Sequence, residues 1–209
     1  MDYPGKIALT LFTSNCNFDC AYCHNPGLKV STDERVSEEE VFEYLAKRKA
    51  QLDGVVITGG EPTLREAELI PFILRLKELF PEKSVKLDTN GWNSQILGRF
   101  LERVDFVAMD LKAVDYSLFS RVSMDSIEES LELVKSFKEH EIRVTMYPPY
   151  VAQRDFERLA ILCKGASRVA IQQYRRVEGN PVAPYSIDIL NEFAGILCKE
   201  TGLNAVIRG

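Results

Sequence analysis

Cys16, Cys20 and Cys23 form a C-x3-C-x2-C array directly after the apolar run Ile7 to Phe12, with no obvious fourth ligand beside them. Three protein thiolates can hold a cubic [4Fe-4S] cluster by three irons and leave the fourth open to bind and reduce something, whereas four would make a closed electron carrier. The surrounding loop is polar and turn-rich, with Ser14, Asn15, Asn17 and Asp19 before or among the thiols and Asn25-Pro26-Gly27 after them. Such a loop can wrap its backbone N–H groups around cluster sulfurs and tune their potential. Tyr22, next to the last thiol, is placed to shield one cluster edge or to touch a bound ligand. The competing reading is a structural zinc site with His24 or a distant cysteine as fourth ligand. It is disfavoured because zinc sites usually pair cysteines as C-x2-C plus a second pair. Cys163 and Cys198 lie in apolar, helix-like segments and read as buried small hydrophobes.

Two further motifs carry chemistry only beside the cysteines. Gly59-Gly60-Glu61-Pro62 follows Val55-Val56-Ile57-Thr58 without a spacer. The glycines admit close approach of a ligand to the backbone, and Pro62 pushes Glu61 into an extended conformation that offers its C=O and carboxylate as acceptors for an ammonium group. Alone, this is a plain strand-to-helix turn. Asp88-Thr89-Asn90-Gly91 contains a common turn pair, yet Asp88 ends a strand whose neighbour ends in Asp110, so two carboxylates are expected at one mouth. They could hold ribose hydroxyls, a small cation or Lys112. A direct Asp110 to Lys112 salt bridge is not expected within the strand, because i and i+2 side chains share a face but sit well apart.

These residues need a scaffold that gathers them. The runs Ile7 to Phe12, Val55 to Thr58, Val85 to Asp88, Phe106 to Leu111, Ile142 to Tyr147 and Val169 to Gln173 are short and rich in β-branched residues, as buried parallel strands are. Between them lie helical patterns. Ser37-Glu38-Glu39-Glu40 reads as a capping box opening a helix to about Leu52, with Val41, Tyr44 and Leu45 on one face. Others are expected at Arg65 to Phe80, where Pro71 can introduce a bend, and at Ser94 to Arg103, Ser126 to His140, Arg154 to Lys164 and Ile187 to Thr201, with a last strand at Asn204 to Arg208. Repeated βα units with right-handed crossovers give an open doubly wound sheet or a partial (β/α) barrel, and in both the ligands sit at the carboxyl ends of the strands. Each polar or Gly-rich oddity falls at such an end, including Gln172-Gln173-Tyr174 after the sixth strand.

Composition excludes several classes. The 209 residues, 45% of them apolar, suffice for one core, and without a linker, low-complexity tract or repeat the span 1–209 reads as a single domain. With 26 basic against 31 acidic residues and a net charge of -5, no nucleic-acid partner is expected. The stretch from Met1 to Lys6 lacks the apolar core of a signal peptide, and no apolar run is long enough for a bilayer, so a cytoplasmic protein without a membrane partner is expected. Five cysteines in this arrangement suit a reducing compartment better than a disulfide framework.

With these residues assembled, the chain resembles the radical S-adenosylmethionine (SAM) superfamily, through the C-x3-C-x-aromatic-C array and the Gly-Gly-Glu-Pro strand end. Within it, Tyr22-Cys23-His24-Asn25-Pro26, the Asp-Tyr-Pro-Gly stretch at Asp2 to Gly5, Asp88-Thr89-Asn90-Gly91 and Met109-Asp110-Leu111-Lys112 look like the activases of glycyl radical enzymes. The look is most like the anaerobic ribonucleotide reductase activating type, with pyruvate formate-lyase activase as a relative. The resemblance implies a partial (β/α)6 barrel, one [4Fe-4S] cluster on Cys16, Cys20 and Cys23, and SAM chelating the open iron. It implies Gly59, Gly60 and Glu61 at the methionine amine, with Asp88, Thr89, Asn90 and Asp110 around the ribose or a monovalent cation. Lys112 is the implied counter-charge for the SAM carboxylate, and Arg143 is a second candidate whose alternative is a plain ion pair.

The implied partners are a glycyl radical enzyme, anaerobic ribonucleotide reductase foremost, and an external electron donor such as flavodoxin or ferredoxin, since the chain lacks the extra cysteine clusters of larger activases. One departure matters: related activases carry a His after the sixth strand, where this chain has Gln172-Gln173-Tyr174-Arg175, so its task falls to Gln173, to Arg175 or to no residue. The alternatives are a radical SAM enzyme acting on a small molecule, of the carboxy-deazaguanine synthase type, and a non-catalytic iron-sulfur carrier or zinc-stabilised module. Anaerobically reconstituted protein is expected to hold about four irons per chain by iron and sulfide analysis, and zinc in place of iron would end the cluster reading.

Overall fold

The computed structural model describes residues 3–30 and 35–209; Asp2, the start of the Asp-Tyr-Pro-Gly stretch, lies outside the described residues. The chain alternates strand and helix: β1 (Ala8–Thr13), α1 (Glu38–Lys47), β2 (Gly54–Gly59), α2 (Glu66–Leu79), β3 (Ser84–Thr89), α3 (Ser94–Leu101), β4 (Phe106–Leu111), α4 (Met124–Ser136), β5 (His140–Met146), α5 (Phe156–Leu162), β6 (Val169–Gln173), α6 (Ile187–Thr201) and β7 (Val206–Arg208). The sheet order follows the chain order from β1 to β7 and does not close. Six βα units with strands in chain order make the α/β topology of a partial (β/α)6 TIM-like barrel, with β7 added at its end. Among the described residues no helix is long and apolar enough to cross a membrane.

The chain folds as two compact units, Met1–Asn17 with Asn25–Thr89 and Gln95–Val107, and Phe18–His24 with Asn90–Ser94 and Ala108–Gly209. In the first, β2 lies between β1 and β3, all parallel. Val55, Val56 and Ile57 of this central strand are fully buried, as an apolar run covered on both faces must be. β1 pairs on the β2 side, and its residues are only partly covered, Phe12 being 59% exposed. The capping box at Ser37 and Glu40 forms as expected. The helix it opens stops at Lys47 rather than near Leu52, and beyond that end the Lys83 ammonium donates to the carbonyls of Lys49 and Leu52 (2.6 and 2.7 Å). Its buried side chains are Val41, Phe42 and Leu45, while Tyr44 faces outward; Phe42 stacks on Phe72 of α2 at 5.4 Å. α2 runs through Pro71.

In the second unit β5, β6 and β7 are parallel, in a register that sets Thr145 beside Gln172 and Gln172 beside Arg208. β7 is fixed by a two-pronged ion pair from Arg208 to the buried Glu141 of β5, both contacts at 2.7 Å. α4 buries Ile127, Leu131 and Val134, and Phe156 of α5 meets Phe193 of α6 at 4.9 Å. α4 begins two residues earlier than expected, at Met124, capped by Ser123, and ends at Ser136 rather than at His140. Phe137 turns extended there, and His140 becomes the first residue of β5.

The His140 ring explains that boundary. Its Nε2 accepts the Ser167 N–H at 2.9 Å, so Nδ1 carries the proton and donates to the Phe137 carbonyl at 2.5 Å. Burial holds this imidazole below its ordinary value of 6.5, against the pull of that carbonyl. The unfolded chain therefore binds a proton more readily than the folded one, and stability that is complete above about pH 6.5 falls as pH drops below it. Urea midpoints measured from pH 7.5 to 5 are expected to fall in the wild type and to fall less in His140→Gln.

Candidate active site

In the first unit the site is built by a contact between strand ends. The β1 to β2 register pairs Thr13 with Gly59, and just beyond it the Gly60 N–H donates to the Thr13 carbonyl and the Glu61 N–H to the Asn15 carbonyl, both at 2.8 Å. Gly59 has φ +122, and a Cβ there would fall on the Thr13 backbone; a Cβ on Gly60 would fall on the Asn15 carbonyl. Close approach of one strand end to another requires both glycines. Asn15 itself holds φ 80, a left-handed conformation that asparagine tolerates better than most residues. Its own N–H and that of Cys16 reach the carbonyls of Leu28 and Lys29, which shapes the entry to the cysteine loop.

Glu61 departs from expectation. It is fully buried, and its Oε1 accepts from the Thr63 N–H (3.1 Å), the Thr63 hydroxyl (2.6 Å) and the Thr89 hydroxyl (2.8 Å). The carboxylate caps the short 3-10 turn Pro62–Arg65 and ties it to the end of β3. It is a clasp between Gly-Gly-Glu-Pro and Thr89. Asp88, one residue earlier on β3, is paired with the buried Lys86 of its own strand.

In the second unit the segment carrying Cys20 and Cys23 is held at several points. The Asp19 N–H donates to the Phe119 carbonyl (2.8 Å), the Ala21 N–H to the Tyr150 hydroxyl (3.0 Å), and Asn180 Nδ2 to the Ala21 carbonyl (3.0 Å). The Cys23 N–H reaches the Cys20 carbonyl at 3.2 Å, closing a turn around Ala21 and Tyr22. Tyr22 is buried in a ring cluster with Tyr147, Tyr150 and Tyr174, at centroid distances of 5.1, 5.6 and 6.4 Å, so it is a core residue of the loop rather than an edge shield. Burial pushes its phenol far above the usual range, with Lys112 pulling the other way. Among the described residues, the Tyr22 and Tyr174 hydroxyls and the Gln173 Oε1 are buried without a protein partner.

Lys112 and Arg143 converge on one carboxylate. Lys112 Nζ meets Asp110 Oδ2 at 2.9 Å and Arg143 Nε meets Asp110 Oδ1 at 2.7 Å. The Asp110 to Lys112 salt bridge excluded on strand geometry therefore forms. β4 ends at Leu111, so Lys112 is free of the pleat and its long stem reaches back. Burial would raise the Asp110 carboxyl, but the Arg143 guanidinium and the Lys112 ammonium hold it well below the usual carboxylate range. Burial likewise works against the Lys112 ammonium, which Asp110 keeps well above its usual range. All three stay charged.

The remaining residues fall as follows. The Asn90 Oδ1 accepts the Trp92 N–H at 3.0 Å, forming the turn after β3. Gln173 Nε2 donates to the Tyr185 carbonyl at 2.8 Å, and Arg175 is exposed. Cys163 is buried, its thiol pushed up to about 12 by burial. Cys198 is exposed, contrary to expectation, because α6 buries Leu190, Phe193 and Leu197 and Cys198 lies off that stripe. Sequence reading gave no role to Thr63, Tyr147 or Tyr150. Tyr147-Pro148-Pro149-Tyr150 and Tyr174, at the ends of β5 and β6, were the available signal.

The donor set was tested against the cluster it would have to hold. None of the three thiols is in a disulfide, Cys20 is buried and Cys16 and Cys23 are partly so. Soft thiols in a loop shaped by backbone bonds suit iron-sulfur ligation. Among the described residues no three His, Cys, Asp or Glu side chains are grouped for a metal ion. A cubane places each thiolate on a different iron, so its ligands need not meet at one point.

The Radical SAM superfamily profile matches residues 10–162, and the chain belongs to that superfamily. Membership implies a [4Fe-4S] cluster and SAM. The chain is 32% identical over 186 residues to the "Putative glycyl-radical enzyme activating enzyme" of Methanocaldococcus jannaschii, covering 83% of this chain and 75% of that one. It is 33% identical over 135 residues to a "Probable GTP 3',8-cyclase" of Saccharolobus solfataricus (62% of this chain, 42% of that one). It is 31% identical over 120 residues to the pyruvate formate-lyase-activating enzyme of Clostridium pasteurianum (55% and 49%). The chain thus spans less than half the length of the latter two. In fold it is similar to a radical SAM methyltransferase from Sphaerobacter thermophilus, with TM-score 0.77 at 18% identity over 100% of this chain and 67% of that one. It is also similar to Streptococcus suis SuiB bound to S-adenosylmethionine, with TM-score 0.72 at 19% identity over 100% of this chain and 51% of that one.

Because the Gly60 position has no room beside Asn15, Gly60→Ala is expected to lower stability by about 2 kcal/mol, read as a reduced urea midpoint with unchanged slope.

Proposed function

We propose that this chain is a radical SAM activase that reductively cleaves SAM and installs a glycyl radical on a partner enzyme, anaerobic ribonucleotide reductase being the favoured partner. The observation that carries the proposal is the likeness to the "Putative glycyl-radical enzyme activating enzyme" of Methanocaldococcus jannaschii over most of both chains. Cys16, Cys20 and Cys23 would hold the cluster. When bound, the reduced cluster and SAM together supply a 5'-deoxyadenosyl radical, with methionine as co-product.

The chain's own residues would bind and orient. Gly59, Gly60 and Glu61 would present backbone groups to the methionine amine, since the Glu61 carboxylate is committed to Thr63 and Thr89. Asp88, Thr89 and Asn90 would face the ribose. Lys112 and Arg143, gathered at Asp110, suit the SAM carboxylate. A monovalent cation beside Asp88 or Asp110 would compete with Lys86 at the first and with Lys112 and Arg143 at the second. Gln173, with its Oε1 unpartnered, stands at the strand end where related activases carry a His. Electrons would come from an external donor such as flavodoxin or ferredoxin.

A second reading, a radical SAM enzyme acting on a small molecule, is favoured by the GTP 3',8-cyclase relatives. One experiment separates the two. Reduced, SAM-loaded protein mixed with candidate glycyl radical enzymes is expected to give a glycyl doublet by electron paramagnetic resonance. Normal SAM cleavage with no doublet from any candidate would favour the small-molecule reading.

A further inference from the structure

We propose that Asn180 is a positioning residue for the iron-sulfur cluster, its side-chain amide pinning the turn that carries Cys20 and Cys23 to the segment that follows β6. The proposal rests on the assignment of the cluster to Cys16, Cys20 and Cys23.

The bond from the Cys23 N–H to the Cys20 carbonyl closes that turn at 3.2 Å, with Ala21 and Tyr22 between. The first peptide inside it is held through the Ala21 N–H, which donates to the Tyr150 hydroxyl at 3.0 Å. The central peptide, between Ala21 and Tyr22, is the one whose rotation distinguishes turn types while the closing bond stays intact. Its oxygen is the Ala21 carbonyl, and Asn180 Nδ2 donates to it at 3.0 Å. A peptide group is planar, so a bond to its carbonyl fixes how the whole plane is turned. The directions in which the Cys20 and Cys23 side chains leave the backbone follow from those planes.

The Asn180 amide is fully committed. One Nδ2 hydrogen serves Ala21 and the other the Tyr147 hydroxyl at 3.0 Å, while Oδ1 accepts the Val182 N–H at 3.0 Å. A carbonyl only accepts and an N–H only donates, so this network admits one orientation of the amide. The Tyr147 ring packs on Tyr22 at 5.1 Å, so Asn180 bears on the turn twice, directly and through a ring. Its own base is firm. The Asn180 N–H closes a turn onto the Val177 carbonyl at 3.1 Å, with Gly179 at φ +76 supplying the left-handed position. The segment's ends are joined by Gln173 Nε2 and the Tyr185 carbonyl at 2.8 Å, and the Tyr185 hydroxyl donates to the Val151 carbonyl at 2.9 Å.

The test compares wild type, Asn180→Asp and Asn180→Ala. Aspartate keeps an oxygen for the Val182 N–H but cannot donate to Ala21, whereas alanine does neither. In the apo chains, amide hydrogen exchange over residues 18–24 is expected to be about tenfold faster in both variants. Reconstituted anaerobically without SAM, both are expected to bind iron as wild type does and to lose it to a chelator about tenfold faster. The electron paramagnetic resonance spectrum of their reduced cluster is expected to differ from that of wild type. Wild-type exchange and iron loss in Asn180→Asp would overturn the proposal, since the Val182 turn alone would then matter. So would faster exchange with unchanged iron loss and spectrum, which would leave the loop held but the cluster indifferent. Failure of both variants to take up iron would also overturn it, by making Asn180 a requirement for assembly. A wild-type chain that takes up no iron, with the exchange difference intact, would instead overturn the cluster assignment.

Discussion

The backbone contact between the ends of β1 and β2 is the constraint on which the strand ends of the first unit depend. The parallel register brings Thr13 opposite Gly59, and from there the two chains stay in touch for two more hydrogen bonds, through Gly60 and Glu61. A strand end held this close cannot carry a side chain, and it fixes where the cysteine loop departs. The same contact places Glu61 so that one carboxylate oxygen gathers Thr63 and Thr89. A buried carboxylate with several donors is stable only while all of them stay. The position of the β3 end thus follows from a packing requirement two strands away.

The second unit solves a different problem, the fixing of a loop with little regular structure. Rings and charges take the place of a ladder there. Tyr150 and Asn180 accept and donate to the backbone of Ala21, and Tyr22 is packed among tyrosines. Aromatic side chains bury much area with few rotatable bonds, so they immobilise a loop at small entropic cost. Asp110, with its two cations, then sets the electrostatics of that environment.

Much of the fold was legible because β-branched runs and capping residues act locally. Phe106–Leu111, Val169–Gln173 and Ile187–Thr201 fall where the pattern puts them. The boundaries that moved have distant partners beside them: Lys83 at the carbonyls that follow α1, and Ser167 at His140, where β5 begins. Neither partner is visible in a local window. The inward turn of Phe42 instead of Tyr44 likewise depends on Phe72. Within the site, the residue types were readable but their commitments were not. The Glu61 to Thr63 clasp has a local signature, a carboxylate two residues before a threonine, that was open to recognition. The sharing of Asp110 between Lys112 and Arg143 depends on β4 ending at Leu111, which spacing alone does not reveal.

The bonds described for the cysteine loop run through peptide groups, a phenol and an amide, at Asn15, Cys16, Asp19, Ala21 and Cys23. The cost of ordering the loop is therefore met during folding, not during metal assembly. Oxygen attack on a cluster housed in this way would leave the scaffold standing. Such a chain is suited to repair by reloading iron and sulfide, with no need for resynthesis after each exposure to air.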